Sequence, residues 1–196
     1  MAMNEKAWFN EAYVSVQGLS GTEYQLTTKT TAISQTGGNF DLEGIDTFGG
    51  KISKLTTRDD FEISFEGIPT SHADYDWAWA GQTAATAFGA SGVTITTSTT
   101  TKYRVTFLWT NQTSMTSAAL QAITNSNEAY RKSYADLYCT GVETNMDAGD
   151  VLKSTLTFKG TEEDSNGVKN WLISAKDTTS GTLSALNAYT SSTSKF

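Results

Sequence analysis

Four carboxylates in the first half of the sequence come closest to forming a chemical site. Asp59, Asp60, Glu62 and Glu66 fall within one short stretch. Converging carboxylate oxygens can bind a hard cation, and a pair of carboxylic acids can hydrolyse a glycosidic bond. Alternate residues of a strand, however, line one face without converging on a centre. The stretch therefore indicates a solvated acidic face, and we predict no metal site.

Other candidates for catalysis are few. His72 is the only histidine, and it follows Pro69 in a presumed loop, where a histidine is more often a cap or a surface residue than a base. The single Cys139 excludes a disulfide within the chain and a zinc site of several cysteines. The sequence has no glycine-rich phosphate loop, no GxSxG and no HExxH. We therefore expect a protein that is not an enzyme and carries no cofactor.

The charge balance limits the partners. The net charge is −7 and the isoelectric point about 4.7, whereas broad electrostatic binding to nucleic acid or to an anionic membrane needs a basic face. The sequence opens without an apolar leader and nowhere has the run of about 18 apolar residues that a membrane-spanning helix needs. We expect a soluble chain, made in the cytosol, with no membrane partner.

The elements that position these residues are predicted to be strands, because threonine and aromatic residues suit a pleated sheet better than a helix. The clearest element is a hairpin over 129–160, whose two strands are joined by a polar turn at 145–150. Its second strand alternates between an apolar face and a mostly polar one. The apolar face has Leu152, Ser154, Leu156 and Phe158, and the other face has Val151, Lys153, Thr155, Thr157 and Lys159.

A second strand pair is predicted over 51–68, with its bend at 57–60. In its second strand the apolar side chains share one face and the acidic ones the other; the apolar face has Phe61, Ile63 and Phe65, and the acidic face has Asp60, Glu62 and Glu66. Further strands are predicted at 13–17, 23–28, 102–110 and 168–175, and short helices at 74–88 and 114–123.

We expect one domain over 1–196, with an N-terminal arm at 1–12, a glycine-rich loop or hairpin arm at 34–50 and a polar C-terminal tail at 176–196. The tail is either flexible or ordered by a neighbour. The strands at 102–110 and 151–159 carry little proline and few charges that would protect an edge. Such edges can pair with neighbouring subunits and close a sheet into a ring, while the loop and the tail reach adjacent copies.

Several stretches between about residues 100 and 160 resemble the major tail tube proteins of tailed phages and related viruses. They are Tyr103–Thr110, the short alanine-containing helix that is expected after it, Tyr134–Cys139 and above all Asp147–Gly160. The resemblance implies a β-sandwich or split-barrel subunit with one or two short flanking helices and extended arms. It also implies rings of six copies that stack into a tube through which the viral genome passes.

In such a tail the partners are other copies of the chain, other tail proteins at the tube ends, and double-stranded DNA in transient passage. The location implied is the virion tail, with assembly in the host cytoplasm. An acidic bore would repel DNA and keep friction low, so we expect Asp60, Glu62 and Glu66 to line it. The strand at 151–159 is then an inter-subunit strand, formed by Val151, Lys153, Thr155, Thr157 and Lys159, whose lysines face outward, lie at an interface or pair with acids across subunits.

The glycine-rich arm is expected to contact the next ring through Gly37, Gly38, Phe40, Leu42, Ile45 and Phe48. The alternative function is a virion decoration protein or a carbohydrate-binding β-sandwich, which would place Trp77, Trp79 or Trp109 against its ligand.

Overall fold

The computed structural model describes residues 11–21, 23–26, 30–37, 42–48, 50–55, 60–68, 101–124, 127–145, 149, 152–177 and 181–196. Strands dominate these ranges and no helix falls within them, which confirms a mainly β fold. No helix in them is long and apolar enough to span a bilayer. The strands are β1 (Glu11–Gly18), β2 (Glu23–Leu26), β3 (Thr30–Thr36), β4 (Leu42–Thr47), β5 (Gly50–Leu55), β6 (Phe61–Gly67), β7 (Tyr103–Thr110), β8 (Ala129–Asn145), β9 (Lys153–Gly160) and β10 (Trp171–Lys176).

Eight of these strands form one curled antiparallel sheet in the order β2-β1-β7-β8-β9-β6-β3, with β10 also paired to β8. Strand β8 is 17 residues long and is shared by the two halves of the curled sheet. Its first part pairs with β7 and β10, and its second part, from Tyr138, pairs with β9. Asp136, at the junction, has a φ of 54°. The sheet is therefore a half-barrel with a shared strand, and not the two separate sheets of the expected sandwich.

We call the part with β2, β1, β7, β10 and the start of β8 the first half-sheet, and the part with the end of β8, β9, β6 and β3 the second half-sheet. Alternation along each strand sends one set of side chains into the space between them. Phe65 of β6 meets Phe107 of β7 edge to face at 5.9 Å, and Tyr103 of β7 meets Phe158 of β9 at 5.7 Å. The main core thus lies inside the curl.

A second apolar cluster lies on the other side of the first half-sheet. Its residues are Leu108, Met115, Ala118, Ile123, Ala129 and Leu183, with Tyr13 packed against them. Two irregular segments, 111–124 and 181–196, supply the covering side chains. The centre of the first half-sheet is therefore buried on both faces: every residue of β7 is buried except Trp109, which is half-buried.

The helix predicted at 114–123 is wrong, because this segment forms turns and bends. Ser114 has a φ of 63°, and the backbone amides of Thr116 and Leu120 donate to the side chains of Gln121 and Ser117, at 2.8 and 2.6 Å. Polar side chains here bond the backbone groups that a helix would use. The segment then ends in an antiparallel bridge from Ile123 to Leu183. The helix predicted at 74–88 lies outside the described residues.

The pairing predicted for 51–68 is also wrong, although both strands exist. Strand β5 pairs with β4 in a two-stranded hairpin, and β6 pairs with β3 and β9. The predicted loop or hairpin arm at 34–50 accordingly holds the end of β3 and the whole of β4. The predicted hairpin over 129–160 is confirmed from Tyr138 onward, where β8 runs antiparallel to β9 with Asn145 opposite Lys153.

Candidate assembly surface

The outer surface of the second half-sheet brings together two groups of residues that the sequence analysis kept apart. In the ladder, Glu62 of β6 lies opposite Lys159 of β9, and Glu66 lies opposite Thr155. Residues that face each other in a ladder point to the same side of the sheet. The predicted bore lining and the predicted inter-subunit strand therefore share one surface. We call it the polar face: Ala32, Ser34, Thr36, Glu62, Ser64, Glu66, Tyr138, Gly141, Glu143, Asn145, Lys153, Thr155, Thr157 and Lys159.

Strand alternation explains why this surface is polar. Phe61, Ile63 and Phe65 are almost completely buried in the main core, so the residues between them must point outward. The same rule applied to β9 buries Leu156 and Phe158 and turns Thr155 and Thr157 outward. The face is then a consequence of two strands whose apolar residues fill one core.

The charges on the polar face partly pair within the chain. Lys159 Nζ lies 2.8 Å from Glu62 Oε2, with 54% and 48% of the two side chains exposed. A pair this exposed contributes about 0–1 kcal/mol to stability, so its main effect is on the local potential. Three glutamates, Glu62, Glu66 and Glu143, stand against two lysines on the face. The surface is of mixed charge, with a slight acidic excess.

The remaining predicted site residues lie at the edges of this region. Asp60 is exposed just before β6. Gly37 has a φ of 107°, and a Cβ there would come within 2.2 Å of the Asp60 carbonyl oxygen, so only glycine fits. Leu42 and Ile45 lie in β4, and Phe48 is fully exposed at the turn of the β4–β5 hairpin. Gly38, Phe40, Val151, His72, Trp77 and Trp79 lie outside the described residues.

A polar cleft of about 730 Å³ borders the polar face where β8 bends. Its lining includes Asp60, Lys102, Tyr138, Lys159, Asp164 and Ser192. The buried carboxylate of Asp136 forms its floor, with Oδ2 3.5 Å from Lys102 Nζ and 3.3 Å from Lys195 Nζ. Its Oδ1 accepts a hydrogen bond of 2.6 Å from the Tyr189 hydroxyl. Sequence analysis missed this residue, although an aspartate between Ala135 and Leu137 in an apolar strand was the available signal.

Lys195 is the second buried charge that the sequence analysis missed. Its ammonium group lies 2.7 Å from Asp164 Oδ2 and 2.5 Å from Asn170 Oδ1, besides the contact with Asp136. The hydrogen bond from Lys195, with others from the amides of Val168 and Asn166, lowers the pKa of Asp164 to about 2. Burial, and then the hydrogen bond to Asp136, raise the pKa of Tyr189, which stays protonated. These groups form a fixed structural network.

Nothing in the described part of the chain is arranged for a reaction. No group of three His, Cys, Asp or Glu side chains there could hold a metal ion. Cys139 is only partly buried, yet burial raises the pKa of its thiol to about 11, so it is a poor nucleophile at neutral pH. Trp109 packs at the margin of the main core, with its ring 6.2 Å from Phe107 and 5.7 Å from Tyr130. The features of this part of the fold that can contact a partner are its exposed surfaces and the edges of its sheet.

The sheet ends at β2 on one side and at β3 on the other, and within the described residues each of these strands has one ladder partner. This fold is similar to that of a chain in the baseplate of the anti-feeding prophage. In that cryo-EM structure, which is 6-fold symmetrised, the matching chain has a TM-score of 0.51 and 10% sequence identity. The match covers 91% of the present chain and 99% of that chain, so the two share their fold over nearly the whole length.

Two further solved structures match less well. A chain of the PVC sheath-tube complex, from an extracellular contractile injection system in the extended state, has a TM-score of 0.46 at 13% identity and covers 83% of this chain and 88% of its own. A crystal structure of an Hcp protein gives 0.39 at 10% identity, with coverage of 85% and 98%. No protein-family model matches the sequence, and no curated protein does.

Proposed function

We propose that this chain is a structural subunit that associates with its own copies into rings, and that the rings stack into a tube. The observation that carries the proposal is the open, curled sheet, which ends at β2 and β3 and shares its fold with a chain of a six-fold symmetric particle. The edge of a sheet is a template for pairing with another chain. In a ring of identical copies, the β2 edge of one copy can pair with the β3 edge of the next. Six copies per ring agree with the symmetry of that particle.

The polar face is proposed to line the bore. Elsewhere in the described part of the sheet, both halves bury their inner side in the main core, and the centre of the first half-sheet buries its outer side in the second cluster, whereas Ile173 and Ala175 of β10 are exposed. The polar face alone is broad, exposed and free of large apolar side chains except at Tyr138. Its near balance of glutamate and lysine limits attraction to phosphate, which suits the passage of duplex DNA.

The β4–β5 hairpin is proposed as the contact between successive rings. It pairs only with itself among the described strands, so it stands apart from the main sheet. Phe48 at its turn is fully exposed, and an aromatic side chain in that position gains most by entering a pocket on another copy. We infer a place in the tail of a phage or of a phage-tail-like particle, assembled in the cytoplasm, with other tail proteins at the tube ends.

The test is negative-stain microscopy of the purified protein over a range of concentrations, together with sedimentation velocity. Rings or tubes of uniform diameter are the expected result. A single small particle at every concentration would contradict the proposal. Among the described residues no observation favours the carbohydrate-binding alternative, since Trp109 is packed against Phe107 and Tyr130, while Trp77 and Trp79 lie outside them.

A further inference from the structure

The outer face of the first half-sheet is built like a peptide-binding groove. We call residues 181–196 the strap and the surface beneath it the strap groove, which β1, β7 and β8 floor and the segments 111–124 and 161–170 flank. Three strap residues at a spacing of three are buried, namely Leu183, Leu186 and Tyr189, while the residues between them are exposed. Such a period of three is that of an extended, polyproline-type chain without internal hydrogen bonds.

The groove holds the main chain of the strap by hydrogen bonds that do not depend on strap side chains. Ile123 and Leu183 exchange amide-to-carbonyl bonds of 2.9 Å in both directions. The Leu186 amide donates to Ala119 O at 2.8 Å, and the Ser20 amide donates to Tyr189 O at 2.9 Å. This mode of binding, with backbone bonds for affinity and spaced pockets for specificity, is how proteins capture extended segments.

Two buried arginines in the floor of the groove donate to strap carbonyls. Arg104 Nη1 lies 2.6 Å from Asn187 O and 3.0 Å from Lys195 O, and Arg131 Nη2 lies 2.6 Å from Ser184 O. Burial lowers the pKa of both guanidinium groups, that of Arg131 to about 10, and so their charge needs the acceptors that the strap supplies. An empty groove would leave two cations beside exposed apolar surface.

The end of the strap is anchored by charge. Lys195, buried to 97%, inserts its ammonium group between Asp136, Asp164 and Asn170. The aspartates and Asn170 belong to β8 and to the 161–170 segment, so this niche exists independently of the strap's own sequence. The groove therefore binds a segment that has Leu, Leu and Tyr at a spacing of three residues and a lysine six residues after the Tyr.

We propose that the strap groove is a transferable peptide-binding site, which a chain fills with its own residues 181–196 and can fill instead with the strap of a second copy. Apart from the bonds of Ser191 to Thr193 and Ser194 and the Asn187–Phe196 bond, the strap hydrogen bonds described above go to other elements, so the same contacts form within a chain or between two chains. A tethered strap competes at an effective concentration of about the millimolar range, and neighbouring copies in an assembly reach comparable values. The inference does not require that the assembly be a ring.

The decisive experiment uses two single-cysteine versions of the full chain in a Cys139→Ser background. One carries Ile123→Cys and the other Leu183→Cys, two positions that face each other in the strap bridge. A disulfide joining positions 123 and 183 in the mixture can form only between copies. Under mild oxidation we expect this cross-linked dimer, identified by mass spectrometry, and a several-fold increase when the Ile123→Cys chain also carries Lys195→Met, because the weakened strap of that chain leaves its groove open to the intact strap of the Leu183→Cys chain. Lys169→Met, which removes an exposed lysine near the niche, should leave the yield unchanged.

A chain with both substitutions shows whether the bridge oxidises within one molecule. If it does, and the mixture gives no dimer joined at these positions, the groove is closed to a second copy and the proposal is rejected. A labelled peptide of residues 181–196 gives a second measurement that needs no disulfide. Saturable binding of the peptide to the full-length Lys195→Met chain is expected, and absence of binding would also reject the proposal.

Discussion

Asp136 shows how one residue can serve both the backbone and the buried charges of this fold. Its φ of 54° lies in the left-handed region, which aspartate tolerates better than most residues, and it occurs where β8 passes between the half-sheets. Its carboxylate meets Tyr189, Lys102 and Lys195. The bend in the sheet and the anchoring of the strap thus depend on the same side chain.

Replacing Asp136 with Ala should destabilise the protein by about 3–5 kcal/mol, because it leaves the buried ammonium group of Lys195 with less compensation. Asp136→Asn is the matched comparison, since it keeps the side-chain shape and tolerates the same backbone conformation but also removes the charge, so it should lose most of the same stability. Urea unfolding, followed by tryptophan fluorescence, measures both. A loss for Asp136→Asn much smaller than that for Asp136→Ala would show that the charge is unimportant.

Asp164 predicts how acid affects the strap. The pKa of its carboxyl is 3.8 unperturbed and about 2 in the fold, so ionised Asp164 stabilises the folded state fully above pH 3.8. This contribution is lost as the pH falls through about 2. In urea titrations, the stability advantage of the native chain over Asp164→Asn should therefore be constant down to pH 4 and shrink below it. An advantage that does not change with acidification would contradict the assignment.

At the scale of elements, alternation along single strands was predictable and the choice of partners was not. The buried rows Phe61, Ile63, Phe65 and Leu156, Phe158 follow directly from their spacing, and so does the pairing of β8 with β9. The partner of β5 could not be predicted in this way, because two strands that are adjacent in sequence look like a hairpin whether or not they pair. In the fold, β5 pairs with β4, and β6 lies between β3 and β9.

The strap was hidden from sequence reasoning for a different reason. Its buried residues recur at every third position, and this period matches neither the period of 2 that indicates a strand nor the period of 3.6 that indicates a helix. Serine and threonine between them give the composition of a flexible tail. The candidate surface was predicted in its parts, Glu62 and Glu66 on one side and Thr155 to Lys159 on the other, but only the register of β6 with β9 unites them.

The hairpin makes its own prediction. Phe48→Asp should leave the stability of the single subunit within about 0.5 kcal/mol of the native value, because the side chain is fully exposed. It should nevertheless shorten or abolish tubes, since a carboxylate cannot enter an apolar pocket on the next ring. Val168→Asp, at another exposed apolar position on the 161–170 segment, is the control, and microscopy with length measurement is the assay. Tubes of normal length from Phe48→Asp would remove the hairpin from the ring contact.

At the scale of the whole molecule, each surface of the sheet makes a different kind of contact. The inner side holds the main core, the outer side of the first half-sheet holds the strap, and the outer side of the second half-sheet is the polar face. A partner on the polar face therefore meets strand side chains that make no contribution to either apolar cluster.

Replacing two glutamates of the polar face with lysines should increase the affinity of the assembly for duplex DNA. Glu62→Lys combined with Glu66→Lys removes the partner of Lys159 and makes the face cationic. We expect rings to form but duplex DNA to bind them, with a binding constant that falls steeply as salt rises. Ser165→Lys with Asn166→Lys adds the same number of lysines to an exposed turn and is the control. DNA retention measured against salt, and ejection rates where particles are available, provide the test; unchanged passage would place another surface in the bore.

The polar face also has a consequence for how such proteins can diverge. Because its residues alternate with the core residues along the same strands, a mutation there changes the charge or the width of the surface without disturbing the packing beneath. Sequences that share this fold can therefore differ in the charge and width of this surface.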